Sequence, residues 1–73
     1  MIEATLTLQI QIEQEKDGRW IAEVPELPGV MTYGGTTEEA KARVQALALR
    51  VLADRLEHGE GGSEPLNIQF HAA

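Results

Sequence analysis

The chain has 73 residues, no cysteine and a formal net charge of −6, which excludes a disulfide-stapled scaffold and argues against binding nucleic acid through a basic face. A domain this short buries only about 60% of the surface its unfolded chain exposes. With neither disulfide nor clustered metal ligands, self-association is the stabilising device left to it, and at least a homodimer is expected. No signal peptide or long apolar run is present, so a cytoplasmic protein with no membrane partner is expected.

From Thr5 to Gln14 the residues alternate strictly, with Leu6, Leu8, Ile10 and Ile12 on one face and Thr5, Thr7, Gln9, Gln11 and Glu13 on the other. That is the period of a half-buried strand. Glu15-Lys16-Asp17-Gly18 reads as a turn, after which Trp20, Ala22 and Val24 alternate with Arg19, Ile21 and Glu23. A two-residue Asp-Gly loop would pair Ile12 with Glu23 and bury a carboxylate. A three-residue loop Lys16-Asp17-Gly18 instead pairs Ile12 with Ala22 and Ile10 with Val24, with Gly18 in the left-handed position.

Pro25-Glu26-Leu27-Pro28-Gly29 withholds two backbone donors and fixes two φ angles, so it reads as a rigid bend. A short third strand, Val30 to Tyr33, follows and is expected to pair with the second. Gly34-Gly35 then breaks the chain. Thr36 and Glu39 form a capping box, each side chain satisfying a backbone donor of the other residue. From Thr37 to about His58 the period is helical, with Ala40, Val44, Leu47, Ala48, Val51, Leu52 and Leu56 on one stripe. His58 complements the helix dipole and Gly59 is the expected left-handed stop. A loop over Gly59 to Glu64 closes at Pro65, and Leu66, Ile68 and Phe70 alternate with Asn67, Gln69 and His71 as a fourth strand.

The expected architecture is therefore a single α+β domain over 1–73, a two-layer β-β-β-α-β fold. Its four-stranded mixed sheet has the order 3-2-1-4, with one long helix on one face and the last strand parallel to the first. The apolar faces of strands one, two and four meet the helix. Thr5, Thr7, Gln9 and Gln11 are left on an open sheet face, a natural surface for another subunit.

Chemistry is sparse. The carboxylates are scattered and solvated surface accounts for them; the one serine, Ser63, lies in the glycine-rich loop, and the two histidines have no metal-ligand spacing. No catalytic residue, metal or cofactor is expected. Up to Gly29, however, acids outnumber bases six to two, so the hairpin and bend are where a basic partner would dock. Glu13, Asp17, Glu23 and Glu26 are the candidate rim. Trp20 covers the end of the helix or serves as a binding anchor beside that rim.

Asp17-Gly18 with an aromatic two residues on, then Val24-Pro25-Glu26-Leu27-Pro28-Gly29, a short strand, Gly35-Thr36 and Glu38-Glu39-Ala40 together resemble the HicB-like antitoxin family over roughly Leu6 to Glu60. The resemblance implies a partial ribonuclease-H-like fold and a role as antidote to a HicA-like toxin, a small basic ribonuclease that cleaves mRNA. Relatives commonly carry a DNA-binding module after this domain. This sequence stops at Ala73, so a stand-alone domain without direct DNA binding is expected. Active ribonuclease H enzymes place a metal-binding carboxylate in the middle of strand one, whereas Leu8-Gln9-Ile10-Gln11 stands here, and no nuclease activity is expected. The alternative reading is an orphan dimeric interaction module of the same fold with no toxin partner.

Overall fold

The computed structural model describes residues 4–59 and 66–72. The elements are β1 (Ala4–Gln14), β2 (Trp20–Glu23), β3 (Met31–Gly34), α1 (Thr37–Glu57) and β4 (Leu66–Ala72). They form one four-stranded sheet in the order β3-β2-β1-β4. β2 is antiparallel to both β1 and β3, and β4 is parallel to β1. The alternation in the sequence thus yields the expected topology. The loop expected over Gly59 to Glu64, with its closing Pro65, lies outside the described residues except for Gly59.

The first turn sets the register of the hairpin. Glu15 N–H donates to the Arg19 carbonyl at 2.7 Å and Gly18 N–H to the Glu15 carbonyl at 3.0 Å. Gly18 sits at φ +92°, the left-handed residue of a three-residue hairpin loop. Ile12 consequently faces Ala22 and Gln14 faces Trp20. The ladder runs from Gln14–Trp20 to Gln11–Glu23; Ile10 and Val24 lie beyond its last pair, both buried.

Proline chemistry ends the ladder there. Continuing the register places Pro25 opposite Gln9 in a position that needs a donor, and proline has none. The Gln9 N–H leaves the ladder and is accepted instead by Glu26 Oε1 at 3.3 Å. The bend itself is two consecutive tight turns, closed by Leu27 N–H to the Val24 carbonyl and Val30 N–H to the Leu27 carbonyl, both 3.0 Å. In the second, Pro28 precedes Gly29 at φ +84°, the pattern of a type II turn. Leu27 and Val30 are buried, so the bend plugs the end of the core. β3 then starts at Met31, one residue later than the alternation predicts, because Val30 is still the closing residue of that turn.

At the helix start the Thr36 side chain accepts the Glu39 N–H at 3.1 Å, as the capping box requires. The reciprocal bond differs from expectation: Glu39 Oε1 accepts from Gly35 N–H at 3.2 Å rather than from Thr36. Glu39 also pairs with Arg43 at 3.0 Å, and Arg43 Nη1 donates to the Tyr33 carbonyl at 2.9 Å. Thr32 Oγ1 donates to the Ala40 carbonyl at 3.1 Å. Together these fasten the first two turns of α1 to β3. At the far end His58 Nδ1 lies 2.7 Å from the Asp54 carbonyl, and Gly59 at φ +76° ends the helix.

The core comprises Leu8 and Ile10 of β1, Ala22, Val24, Leu27, Val30, and Ala40, Val44, Ala48 and Leu52 of α1. Two expectations change here. Leu56, on the predicted stripe, is exposed; the buried positions run at strict four-residue steps from Ala40 to Leu52, and the last helical turn leaves the core. Strand four also meets the helix less than expected. α1 makes its close approaches to β3, β2 and β1, and Leu66, Ile68 and Phe70 of β4 are each only half-buried.

Candidate functional site: the open face of the sheet

Side chains directly opposite each other in a sheet share a face, so the register assigns every residue of the hairpin. Trp20, Ala22, Thr32 and Gly34 lie on the helix side with Ile12. On the other side two rows cross the sheet: Glu13, Ile21 and Tyr33 form one, and Gln11, Glu23 and Met31 the other. Among the described residues no helix covers this face. Met31 and Tyr33, on the edge strand β3, are 45% and 40% exposed, and with Ile21 they form an apolar patch beside the carboxylates of Glu13 and Glu23.

The candidate rim thus separates into residues with different work. Glu13 and Glu23 stand together on the open face, Glu13 directly across from Ile21 and Glu23 two residues along β2 from it. Glu26 lies near its lower edge, where its carboxylate caps the Gln9 amide. Asp17 is at the hairpin tip and engaged locally: Oδ1 accepts the Arg19 N–H at 3.0 Å and Oδ2 pairs with Arg19 Nε at 2.7 Å. Those bonds, the backbone one foremost, hold its carboxyl below the usual value. Trp20 is half-buried against the core on the helix side, so it covers the core and does not share a surface with Glu13 and Glu23.

Sequence reasoning missed the apolar members of the face. Tyr33 and Met31 sit in a strand only four residues long, too short for alternation to assign sides. The Arg19 guanidinium lies 4.5 Å from the centre of the Tyr33 ring, a cation–π contact that holds the ring against the sheet. Gln14 Nε2 donates to the Gly18 carbonyl at 3.2 Å and stiffens the adjoining loop. The signal available in the sequence was the hairpin register itself, which puts Ile21 on the solvent side and makes its cross-strand neighbours a surface.

Among the described residues no group of three or more His, Cys, Asp or Glu side chains is arranged to hold a metal ion, and no helix is long and apolar enough to cross a membrane. Chemically the open face offers contact: aromatic and thioether surface, two carboxylates and the amide of Gln11.

The same architecture occurs in the crystal structure of hypothetical protein TTHA1013 from the extremely thermophilic bacterium Thermus thermophilus, which is 31% identical to this chain. The match covers 92% of each chain with a TM-score of 0.54. The two chains belong to one family. No family model matches the sequence, and no curated protein does. The match takes in both the helix-covered and the open side of the sheet, since it spans nearly the whole of both proteins.

Proposed function

We propose that this protein is a HicB-like antitoxin-type binding protein, cytoplasmic and dimeric, which inhibits a HicA-like basic, mRNA-cleaving ribonuclease by direct contact and is not itself an enzyme. The observation that carries the reading is the open face: exposed Tyr33 and Met31 beside Ile21, bordered by Glu13 and Glu23, on a chain of net charge −6. An exposed aromatic and thioether patch with carboxylates beside it has the composition of a protein-docking surface. Acidic residues there speed encounter with a basic protein and repel competing RNA. The proline bend and helix cap, which carry the family resemblance, support the reading by fixing the sheet that presents this face.

The test is co-purification with the tagged full chain as bait in its native cell, followed by an RNA-cleavage assay on what is recovered. A small basic protein at fixed ratio, whose cleavage of RNA is silent in the complex and appears once the two are separated, supports the proposal. Recovery of the chain without such a protein, or of one whose cleavage is unaffected, overturns it and leaves an interaction module without a toxin.

A further inference from the structure

β4 is the last strand of the sheet, and its composition is unusual for an edge. Leu66-Asn67-Ile68-Gln69-Phe70-His71-Ala72 contains no Asp, Glu, Lys, Arg, Pro or Gly. Edge strands of monomeric proteins are protected by such residues or by bulges, because an unpaired edge is a template for another strand. Here the seven residues pair with β1 in unbroken register from Ala4–Leu66 to Ile10–Ala72, so no bulge deflects the edge. Parallel strand pairs are ordinarily covered on both faces. In this one the apolar side chains Leu66, Ile68 and Phe70 remain half-exposed.

We infer that β4 pairs antiparallel with β4 of a second copy of this chain about a two-fold axis at Gln69, joining the two sheets into one of eight strands. This rests on the dimer reading above and names its interface; it is independent of the toxin. Backbone direction selects the register. β1 turns the backbone groups of its odd-numbered residues toward β2, as Glu15 does in bonding Arg19, and those of its even-numbered residues toward β4. β4 therefore turns its odd-numbered residues toward β1 and directs the N–H and C=O of Leu66, Ile68, Phe70 and Ala72 outward. With the axis at Gln69, Ile68 exchanges hydrogen bonds with Phe70 of the second copy, and Leu66 with its Ala72. Every outward backbone group of the strand then has a partner. The same register sets apolar opposite apolar on the helix side and Gln69 opposite Gln69 on the other. A one-residue slip would oppose apolar and polar side chains throughout.

Light scattering of the wild-type chain across micromolar concentrations, combined with two substitutions at the exposed Gln69, tests this. The wild type is expected at twice the chain mass. Gln69→Cys is expected to form a disulfide-linked dimer on mild oxidation, since opposed residues of a non-hydrogen-bonded pair have Cα atoms about 4.5 Å apart, within disulfide reach. Glu57→Cys, exposed on α1, is the control and is expected not to link. Gln69→Glu opposes two carboxylates across the axis and is expected to weaken association about fivefold with an unchanged circular dichroism spectrum. A monomeric wild type overturns both the dimer and this interface. A dimeric wild type in which Gln69→Cys fails to link and Gln69→Glu associates normally overturns the β4 interface alone.

Discussion

Gly34 lies directly beneath the first turn of α1: a Cβ placed on it would stand 2.6 Å from the Ala40 amide nitrogen and 3.0 Å from the Ala40 Cα. Backbone, not a movable side chain, fills the space, so the glycine is fixed by close approach of strand to helix. Gly34→Ala is expected to destabilise the fold by about 1–3 kcal/mol through overpacking. Its neighbour Gly35 has open space around it and no left-handed φ, so Gly35→Ala is expected to be near neutral. Urea unfolding of the two variants separates them, and equal effects would contradict this account of the β3–α1 junction.

The turn at Pro28-Gly29 makes a different demand. A Cβ on Gly29 meets nothing within 4 Å, but φ is +84°, where an L-residue pays about 1–2 kcal/mol. Gly29→Ala is expected to cost that amount in chemical unfolding with the open-face contacts intact.

Acid titration reads the hairpin tip. The Arg19 N–H, then the Arg19 side chain, lower the Asp17 carboxyl below its ordinary 3.8; the Thr37 hydroxyl, then Lys41, lower Glu38 below 4.5. Because both values fall on folding, the stabilisation is complete above the ordinary values and disappears as pH drops through the lowered ones. Wild type is therefore expected to melt above Asp17→Asn at neutral pH, the difference closing only below pH 3.8. A gap that closes between pH 7 and 5 would contradict the assignment.

Strand alternation, the hairpin loop and the proline and glycine punctuation made the topology legible, because each fixes backbone direction locally. The reach of the helix over the sheet was not legible in that way. Leu56 has the right spacing for the core yet lies past the point where α1 leaves it, and Leu66, Ile68 and Phe70 alternate correctly but are only partly covered. Both depend on how far one layer extends over the other, which no local pattern encodes. For the candidate site, charge identified Glu13 and Glu23. It also drew in Asp17 and Glu26, whose carboxylates are occupied by Arg19 and by the Gln9 amide. Tyr33 and Met31 became members only through cross-strand register.

That division predicts unequal effects of charge reversal. Glu13→Lys with Glu23→Lys is expected to weaken partner binding at least about tenfold through slower association, with little change in melting. Glu26→Lys is expected to lower the melting temperature instead, because it removes the acceptor of the Gln9 N–H. Surface plasmon resonance beside thermal denaturation distinguishes the two; binding indifferent to the double reversal would remove Glu13 and Glu23 from the interface.

The most direct test of the central claim is stoichiometric inhibition. The basic ribonuclease recovered with this chain, once separated from it, is titrated with pure wild-type protein while RNA cleavage is followed. Cleavage is expected to fall linearly to zero at a fixed molar ratio, and a Tyr33→Ala, Met31→Ala variant of native fold is expected to require a large excess. Undiminished cleavage in the presence of excess folded wild-type chain would contradict the account.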